Sequence, residues 1–111
     1  MSLGPFVSLW VFDQDNLDSL LSGAKTAINT LQAKAGFIDA HVGRSPDQAN
    51  RLIVTTKWAD VGSYRRALSS TEAKMNVWPF LANMKDEPSA FEVLQAAEGA
   101  NFSHYESSLD S

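Results

Sequence analysis

Cysteine is absent from this chain of 111 residues. Its absence excludes disulfide bonds, zinc–thiolate sites and thiol nucleophiles, and it fits a reducing compartment. Long apolar runs are absent too, since none approaches the ~20 residues that a transmembrane helix needs. The N-terminus lacks the basic region and cleavage pattern of a signal peptide. We therefore expect a cytoplasmic protein that has no membrane partner.

Positive charge is scarce as well. Lys and Arg together number 9 against 13 Asp and Glu, which gives a net charge of −4. Nucleic-acid binding usually needs a basic footprint on the protein surface. We therefore expect no nucleic-acid partner.

Several cofactor-binding and catalytic motifs are missing. The chain has no Gly-rich dinucleotide fingerprint, no phosphate loop and no His-Glu-x-x-His pattern, and it has no Gly-x-Ser-x-Gly elbow. Its two histidines, His41 and His104, lie far apart in the sequence. A single histidine in a strand is more often an interfacial residue than a ligand. The residues therefore indicate neither a metal site nor a bound cofactor.

The length is that of one domain. A chain of this size buries roughly two-thirds of its unfolded surface, which suffices for one hydrophobic core. We place the domain at residues 1–97. Residues 98–111 are polar and rich in serine, and we expect a tail that is loose or lies over a partner.

Apolar periodicity divides the domain into strands and helical regions. Short aromatic and β-branched runs predict strands, and apolar residues at three- and four-residue spacing predict helices. The expected strands cover residues 6–12, 37–44, 51–58 and 90–97, with helices after the first and the third. The order β-α-β-β-α-β is that of a ferredoxin-like α+β fold, with an antiparallel sheet and the helices on one face.

Polar residues and glycine mark the ends of the first helix. Asp13 or Asp15 is its expected N-cap, because a carboxylate there accepts from free backbone N–H groups. Gly36 suits the left-handed position at which a helix stops.

Caps also divide the second helical region. We expect Asp60 to cap a short helix, and Ser69 and Glu72 to form a capping box for the next one. Pro79 should kink or end that last helix, because its ring clashes with the preceding turn.

The first strand is apolar on both faces. Its side chains alternate between the faces, with Phe6, Trp10 and Phe12 on one and Val7, Leu9 and Val11 on the other. The helices can cover only one face, and each large apolar side chain left exposed forgoes about 1.5–3 kcal/mol of burial. A second copy packed sheet to sheet removes this loss, so we expect a homodimer.

An aromatic set is the main candidate for a site: Trp10, Trp58, Tyr64 and Trp78. These side chains either fill the core or line a pocket for a planar aromatic molecule. Strand alternation puts Thr56 and Trp58 on one face, and Tyr64 lies on the helix that should cover it. Thr56, Tyr64 and the indole N–H of Trp58 are then the convergent polar groups.

The stretch from Gly36 to Leu81 carries a resemblance. Gly36-Phe37 opens a strand, Lys57-Trp58 ends another, Tyr64 follows on a helix, and Ser69 to Glu72 starts the next. In this order and length the chain resembles the antibiotic biosynthesis monooxygenase family, small proteins that pair into dimeric α+β barrels. The resemblance covers most of the chain and implies the same homodimer.

The resemblance also implies a chemistry. Members that oxidise polyketide-type anthrones or quinols use no metal or flavin, because the deprotonated substrate itself passes an electron to dioxygen. Trp58 and Tyr64 match a tryptophan and a tyrosine of their substrate cavity, which implies that they are the catalytic residues. Trp58 would position the ring system, Tyr64 would hydrogen-bond a substrate oxygen, and Thr56 and Trp10 would contribute to substrate binding.

Three other cavity positions differ from those members. Where they carry an asparagine, a second tyrosine and an arginine, this chain has Val54, Val42 and Trp78, which we also assign to substrate binding. The valines imply a hydrophobic aromatic or polyketide-like ligand.

The expected function is a cofactor-independent monooxygenase. The alternatives are a non-catalytic binding or accessory protein for a hydrophobic metabolite, or a fold whose tryptophans only fill the core.

Haem-degrading relatives form a second branch of the family. They bind iron through a histidine on a helix, and the corresponding position falls near Val77, where no histidine lies. Haem degradation is therefore not expected, because the axial ligand is missing.

Overall fold

The computed structural model describes residues 3–110, so Met1, Ser2 and Ser111 lie outside the described part of the chain. The elements in chain order are β1 (Phe6–Asp13), α1 (Leu17–Gln32), β2 (Phe37–Arg44), β3 (Arg51–Trp58), α2 (Val61–Leu68), α3 (Thr71–Asn76), α4 (Trp78–Leu81), β4 (Ala90–Glu92), β5 (Gln95–Glu98), β6 (Asn101–His104) and a 3₁₀ turn (Ser108–Asp110). No helix within residues 3–110 is long and apolar enough to cross a membrane.

The central sheet has the strand order β2-β3-β1-β4, and each neighbouring pair is antiparallel. This is the ferredoxin-like order, and it confirms the predicted α+β fold. The strands at 37–44 and 51–58 have the predicted bounds. In the register of β1 and β3, Phe6 lies opposite Trp58 and Phe12 lies opposite Leu52.

The core lies between the sheet and the helices. Alternate residues of β1 and β3 point into it, and the most completely buried of them are Ser8, Trp10, Phe12, Leu52, Val54, Thr56 and Trp58. Helix α1 packs on this face through Leu20, Ala24, Ala27 and Leu31. The core is therefore built by the period-2 and period-3.6 patterns that the sequence shows.

The opposite face of the sheet is partly exposed. Val7 and Leu9 of β1 and Ile53 of β3 are only half-buried, and Phe91 of β4, which pairs with Val7, is 42% exposed. We call this surface the open face. Its apolar side chains agree with the two-sided pattern of the first strand.

The ends of α1 differ from the prediction. Its N-cap is Asn16, whose Oδ1 accepts from the Ser19 N–H at 3.0 Å, so the assignment of the cap to Asp13 or Asp15 is wrong. Asp13 instead ends β1 and pairs with basic residues across the sheet edge. Gly36 does have a left-handed φ of 88°, but α1 already ends at Gln32 and Gly36 leads into β2.

The second helical region begins as predicted, with the Asp60 carboxylate accepting from the Ser63 N–H at 2.7 Å. The predicted capping box is wrong by one residue. Ser69 ends α2, whereas Ser70 caps α3 and accepts from the Ala73 N–H at 3.2 Å.

Pro79 separates α3 from α4, as expected from a residue without a backbone N–H. The two helices meet at Val77, and Pro79 lies in the first turn of α4. Val77 itself is fully buried. The break therefore lies over the core rather than at a solvent-exposed end.

The predicted strand at 90–97 is wrong beyond Glu92. Strand β4 pairs with β1 over Ala90–Glu92, and the chain then leaves the sheet. Strands β5 and β6 form a separate antiparallel hairpin, so the described part of the expected loose tail carries β6 and the 3₁₀ turn. Gly99, with φ 58°, sits in the tight turn of this hairpin, where a left-handed residue is favoured.

Candidate functional site

Four rings meet at the end of the core where β3 stops and α2 begins. The ring of Tyr64 lies 6.0 Å from that of Trp58 and 5.2 Å from that of Phe6, and Phe37 meets Trp58 edge-on at 5.3 Å. Trp58 is fully buried. The sequence signals Gly36-Phe37, Lys57-Trp58 and Tyr64 are therefore brought together in one place.

A chain of hydrogen bonds runs beneath these rings. The Trp58 indole N–H donates to the Thr56 hydroxyl at 2.8 Å, and the Thr56 and Ser8 hydroxyl oxygens lie 2.5 Å apart. The side chains of Ser8 and Trp10 lie beside the Tyr64 hydroxyl and lower its pKa. We call these five residues the aromatic cluster. Within residues 3–110, no buried side-chain nitrogen or oxygen lacks a partner.

Burial sets the protonation state of Tyr64. Removal of the phenol from water raises its pKa above the ordinary value of 10.0, and this effect exceeds the opposing one of the hydrogen bonds from Trp10 and Ser8. Tyr64 is therefore a neutral phenol at neutral pH. It can donate a hydrogen bond to a substrate oxygen, but it is poorly suited to act as a base.

Gly36 positions α2 against the cluster. A Cβ at residue 36 would clash with the Cβ and Oγ of Ser63, and the Gly36 carbonyl accepts from the Ala59 N–H at 2.8 Å. Helix α2 can therefore approach the start of β2 closely, which places Tyr64 over Trp58. The left-handed φ of Gly36 is a second reason why a side chain is disfavoured there.

A cavity of about 290 Å³ adjoins the cluster at Phe6. Its polar lining residues are Asp60, Arg65, Glu92 and Ser108, and its apolar ones are Leu3, Pro5, Phe6, Val61 and Leu109. Because the Phe6 ring packs on Tyr64, this ring separates the cavity from the aromatic cluster. Both Glu92 oxygens accept from Ser108, one from its N–H at 3.0 Å and one from its hydroxyl at 2.5 Å.

Most of the residues predicted for the site lie together. Trp10, Thr56, Trp58 and Tyr64 belong to the aromatic cluster, and Val54 is buried beside them in the core. Val42 lies opposite Val54 on β2 and packs partly buried against the same core.

Trp78 lies outside the buried core. It is 50% exposed, its indole N–H donates to the Leu68 carbonyl at 2.8 Å, and the Lys74 ammonium lies over its ring at 5.6 Å. Its visible contacts thus tie α4 to the end of α2, although the site prediction included it.

Ser8 and Phe6 were not among the predicted site residues. The sequence of β1 did indicate them. Phe6 is the first residue of its aromatic face, and Ser8 is the polar residue that interrupts this face. A buried serine on such a face needs a hydrogen-bond partner, and Thr56 on the neighbouring strand is that partner.

Tyr64 is the only one of the five residues of the aromatic cluster with an ionisable side chain. Within residues 3–110, no group of three or more His, Cys, Asp or Glu side chains is arranged to hold a metal ion. His41 lies on the open face, with its Nδ1 4.0 Å from the Asp39 carboxylate. The chemistry available at the cluster itself is therefore that of neutral hydroxyl and indole groups.

Comparison with known proteins identifies relatives of this fold. The sequence model of the family described as antibiotic biosynthesis monooxygenase matches residues 10–75, whereas no curated protein matches the chain. Among solved structures, SnoaB, a cofactor-independent oxygenase from Streptomyces nogalater, is 20% identical. The match covers 86% of this chain and 97% of that one, with a TM-score of 0.67.

Two further structures share the architecture. A conserved protein from Methanosarcina mazei Go1 is 16% identical over 94% of this chain and 95% of its own, with a TM-score of 0.66. A putative antibiotic biosynthesis monooxygenase from Nitrosomonas europaea is 10% identical over 84% and 89%, with a TM-score of 0.64. At these identities the likeness concerns the fold.

Proposed function

This chain belongs to the antibiotic biosynthesis monooxygenase family, and from that membership we propose that it oxidises a hydrophobic aromatic or polyketide-like small molecule with dioxygen, without a metal or flavin. Family membership, together with a fold shared with a cofactor-independent oxygenase, supports monooxygenase chemistry in general. The substrate class rests on the residues of the aromatic cluster.

The observation that carries the proposal is the convergence of Trp58 and Tyr64. The two rings lie 6.0 Å apart at the positions where the sequence resemblance implies the substrate cavity. Trp58 donates to Thr56, which contacts Ser8, and the Tyr64 hydroxyl lies beside Ser8 and Trp10. Trp58 positions a planar ring system by stacking. Tyr64, held neutral by its raised pKa, donates a hydrogen bond to the substrate oxygen on which negative charge develops.

The electrons for this reaction come from the substrate. In an anthrone-type compound, a methylene becomes a carbonyl: one atom of dioxygen enters the product and the other leaves as water. The task of the protein is to bind the deprotonated substrate, stabilise its oxyanion and exclude bulk water. Trp10, Val42 and Val54 supply the hydrophobic walls, and we retain Trp78 only as a proposed substrate contact at the outer surface.

Access is proposed to run through the cavity beside Phe6. This cavity is predominantly lined by apolar side chains, and a rotation of the Phe6 ring away from Tyr64 would join it to the aromatic cluster. An aromatic substrate would then replace the ring-to-ring contact that Phe6 and Tyr64 make at 5.2 Å.

A second candidate function is that of a non-catalytic binding or accessory protein for a hydrophobic metabolite. The internal hydrogen bonding of the cluster favours it, because Ser8, Thr56 and Trp58 already satisfy one another. The apolar Val42 and Val54 favour it too. The same packing is compatible with a cluster that only fills the core. Haem degradation is not proposed, since Val77 is an apolar, buried residue.

We further propose that two copies pair through their open faces. Val7, Leu9, Ile53 and Phe91 would then leave water, and each fully buried large apolar side chain contributes about 1.5–3 kcal/mol. This homodimer would be the dimeric α+β barrel that the sequence resemblance implies.

Oxygen uptake tests the proposed function. Purified, metal-free protein is supplied with a panel of reduced anthrones and quinols, and dioxygen consumption is compared with the spontaneous rate. Consumption above that rate, together with a product containing one added oxygen, supports the monooxygenase. Saturable binding of the panel compounds without any consumption supports the binding protein instead.

A further inference from the structure

A groove lies between α1 and the α3–α4 segment, at the end of the sheet away from Trp58. Its volume is about 380 Å³, within the ~300–1,000 Å³ of small-molecule sites. Phe12 lines it, and on β1 Phe12 is six residues beyond Phe6, the partner of Trp58. At ~3.3 Å per strand residue this separation is roughly 20 Å. The groove is therefore distinct from the aromatic cluster.

Phe80 lines this groove from α4. Its ring lies 4.7 Å from that of Phe12 and against α1 at Gly23, where an added Cβ would come within 2.8 Å of the ring. Phe80 is partly exposed, and Met75 and Pro79 extend the apolar surface beside it. An apolar lining of this kind suits the face of a ring-shaped ligand.

Exposed polar side chains also line the groove. Ser19 and Ser22 line the groove from α1, and Asn76 and Asn83 line it from the opposite wall. Within residues 3–110, these four side chains form no hydrogen bond or ion pair. Their hydroxyl and amide groups can both donate and accept, so they can bind the hydroxyl edge of a ligand from two sides.

Charge narrows the class of ligand. No Lys or Arg is among the described residues that line the groove, and the only ionisable one is Asp13. Its carboxylate accepts from Arg51 at 2.7 Å and from Lys85 at 3.1 Å. No unpaired cation is thus available for an anionic ligand, and the carboxylate is already neutralised by its partners.

We propose that this groove binds a neutral hydroxylated ring, with a pyranoside sugar as its ligand class. One apolar face of the sugar lies on Phe80, and its hydroxyl edge meets Asn76 and Asn83 on one side and the serines of α1 on the other. The site does not depend on the oxygenase proposal, because it shares no residue with the aromatic cluster.

Nuclear magnetic resonance titration of the full chain tests this site. The probe is methyl β-D-glucopyranoside, followed through the backbone amides of the ¹⁵N-labelled protein; catechol and benzoate are compared at equal concentration. With the pyranoside we expect saturable changes in the amide chemical shifts of Gly23, Ser22 and Asn83. With benzoate we expect no such changes. Catechol distinguishes an aromatic ring site from a sugar site, so tighter binding of catechol than of the pyranoside would overturn the assignment.

Matched variants test whether the pyranoside binds in this groove. Asn83→Ala should weaken pyranoside binding about tenfold, the loss of one well-placed polar contact, whereas Asn29→Ala, at an exposed position of α1 outside the groove, should not change it. Ser22→Trp should abolish binding by filling the groove. Absence of saturable shifts, or shifts that persist in a folded Ser22→Trp variant, would show that the groove is not a sugar site.

Discussion

The indole N–H of Trp58 donates a 2.8 Å hydrogen bond to the hydroxyl of Thr56. The two residues are two positions apart on β3, so strand alternation puts both on the helix-covered face. Thr56 also lies 2.5 Å from the Ser8 hydroxyl. One threonine thus links the central tryptophan to the neighbouring strand, and its loss affects two buried partners.

Replacement of this threonine tests the polar link. Thr56→Val keeps the shape but removes the acceptor of the Trp58 N–H and the partner of the Ser8 hydroxyl on β3. We expect the free energy of unfolding to fall by about 1–3 kcal/mol, the cost of an unsatisfied buried group, as measured by urea denaturation. Thr56→Ser keeps the hydroxyl and should lose less. Equal stability of the valine and serine variants would contradict this role.

Two glycines with left-handed φ form a matched pair. Gly36 has φ 88° and no room for a Cβ, whereas Gly99 has φ 58° and open space around it. Gly99→Ala should cost only the backbone strain of about 1–2 kcal/mol. Gly36→Ala should cost about 1–3 kcal/mol more, because its methyl group overlaps Ser63. Thermal unfolding measures the loss of stability in each variant.

Ser63, the other residue in this clash, supplies a control. In the double variant Gly36→Ala with Ser63→Gly, the methyl group has room, so part of the excess loss should be recovered. A Gly36→Ala variant that is no less stable than Gly99→Ala would show that close packing of α2 on β2 is unimportant.

The ion pairs of Asp13 predict a pH dependence of stability. Hydrogen bonds from Arg51 and Lys85 lower the pKa of Asp13 from 3.8 to about 2. Because the folded pKa lies below the unfolded one, the stabilisation is complete above about pH 5 and is lost as the pH falls through 2. Wild-type protein should therefore exceed Asp13→Asn in Tm at pH 6, and most of the difference should be gone at pH 2.

Asp47 provides the matched acidic control. It lies in the turn before β3 and, among residues 3–110, it takes part in no ion pair. Asp47→Asn should change Tm little, and salt should reduce the effect of Asp13→Asn because the pair is partly exposed. A Tm difference for Asp13→Asn that stays constant from pH 6 to pH 2 would contradict the ion-pair explanation.

The open face predicts a dimer. Leu9 lies near the middle of β1 on this face, and a charge there would be buried without a partner in the proposed interface. Wild-type protein should sediment as a dimer at micromolar concentration, and Leu9→Lys should sediment as a folded monomer. Asn29→Lys, on the exposed surface of α1, should remain dimeric. A monomeric wild type would refute sheet-to-sheet pairing.

Residue patterns predicted the central sheet because its strands alternate strongly. Leu52, Val54, Thr56 and Trp58 point to one side, and a one-residue slip would expose all of them. The N-cap of α3 was misplaced because Ser69 and Ser70 are equally good caps, and only the backbone distinguishes them.

The C-terminal hairpin could not be predicted from apolar alternation. Strands β5 and β6 are short and mostly exposed, so Gly99 was their only strong signal. The orientation of the Trp78 side chain could not be predicted for a different reason. The helix is interrupted at Val77, directly before Trp78, so spacing along the chain does not tell which way the indole points.

Oxygen uptake by a matched pair of tryptophan variants tests the central claim most directly. Trp58→Phe alters the aromatic cluster, whereas Trp78→Phe alters a half-exposed indole outside it. With a reduced anthrone as substrate, and both variants confirmed to be folded, the account predicts that Trp58→Phe loses most of the uptake above the spontaneous rate and that Trp78→Phe keeps it. Equal uptake by the two variants would contradict the assignment of the oxidation site to Trp58 and Tyr64.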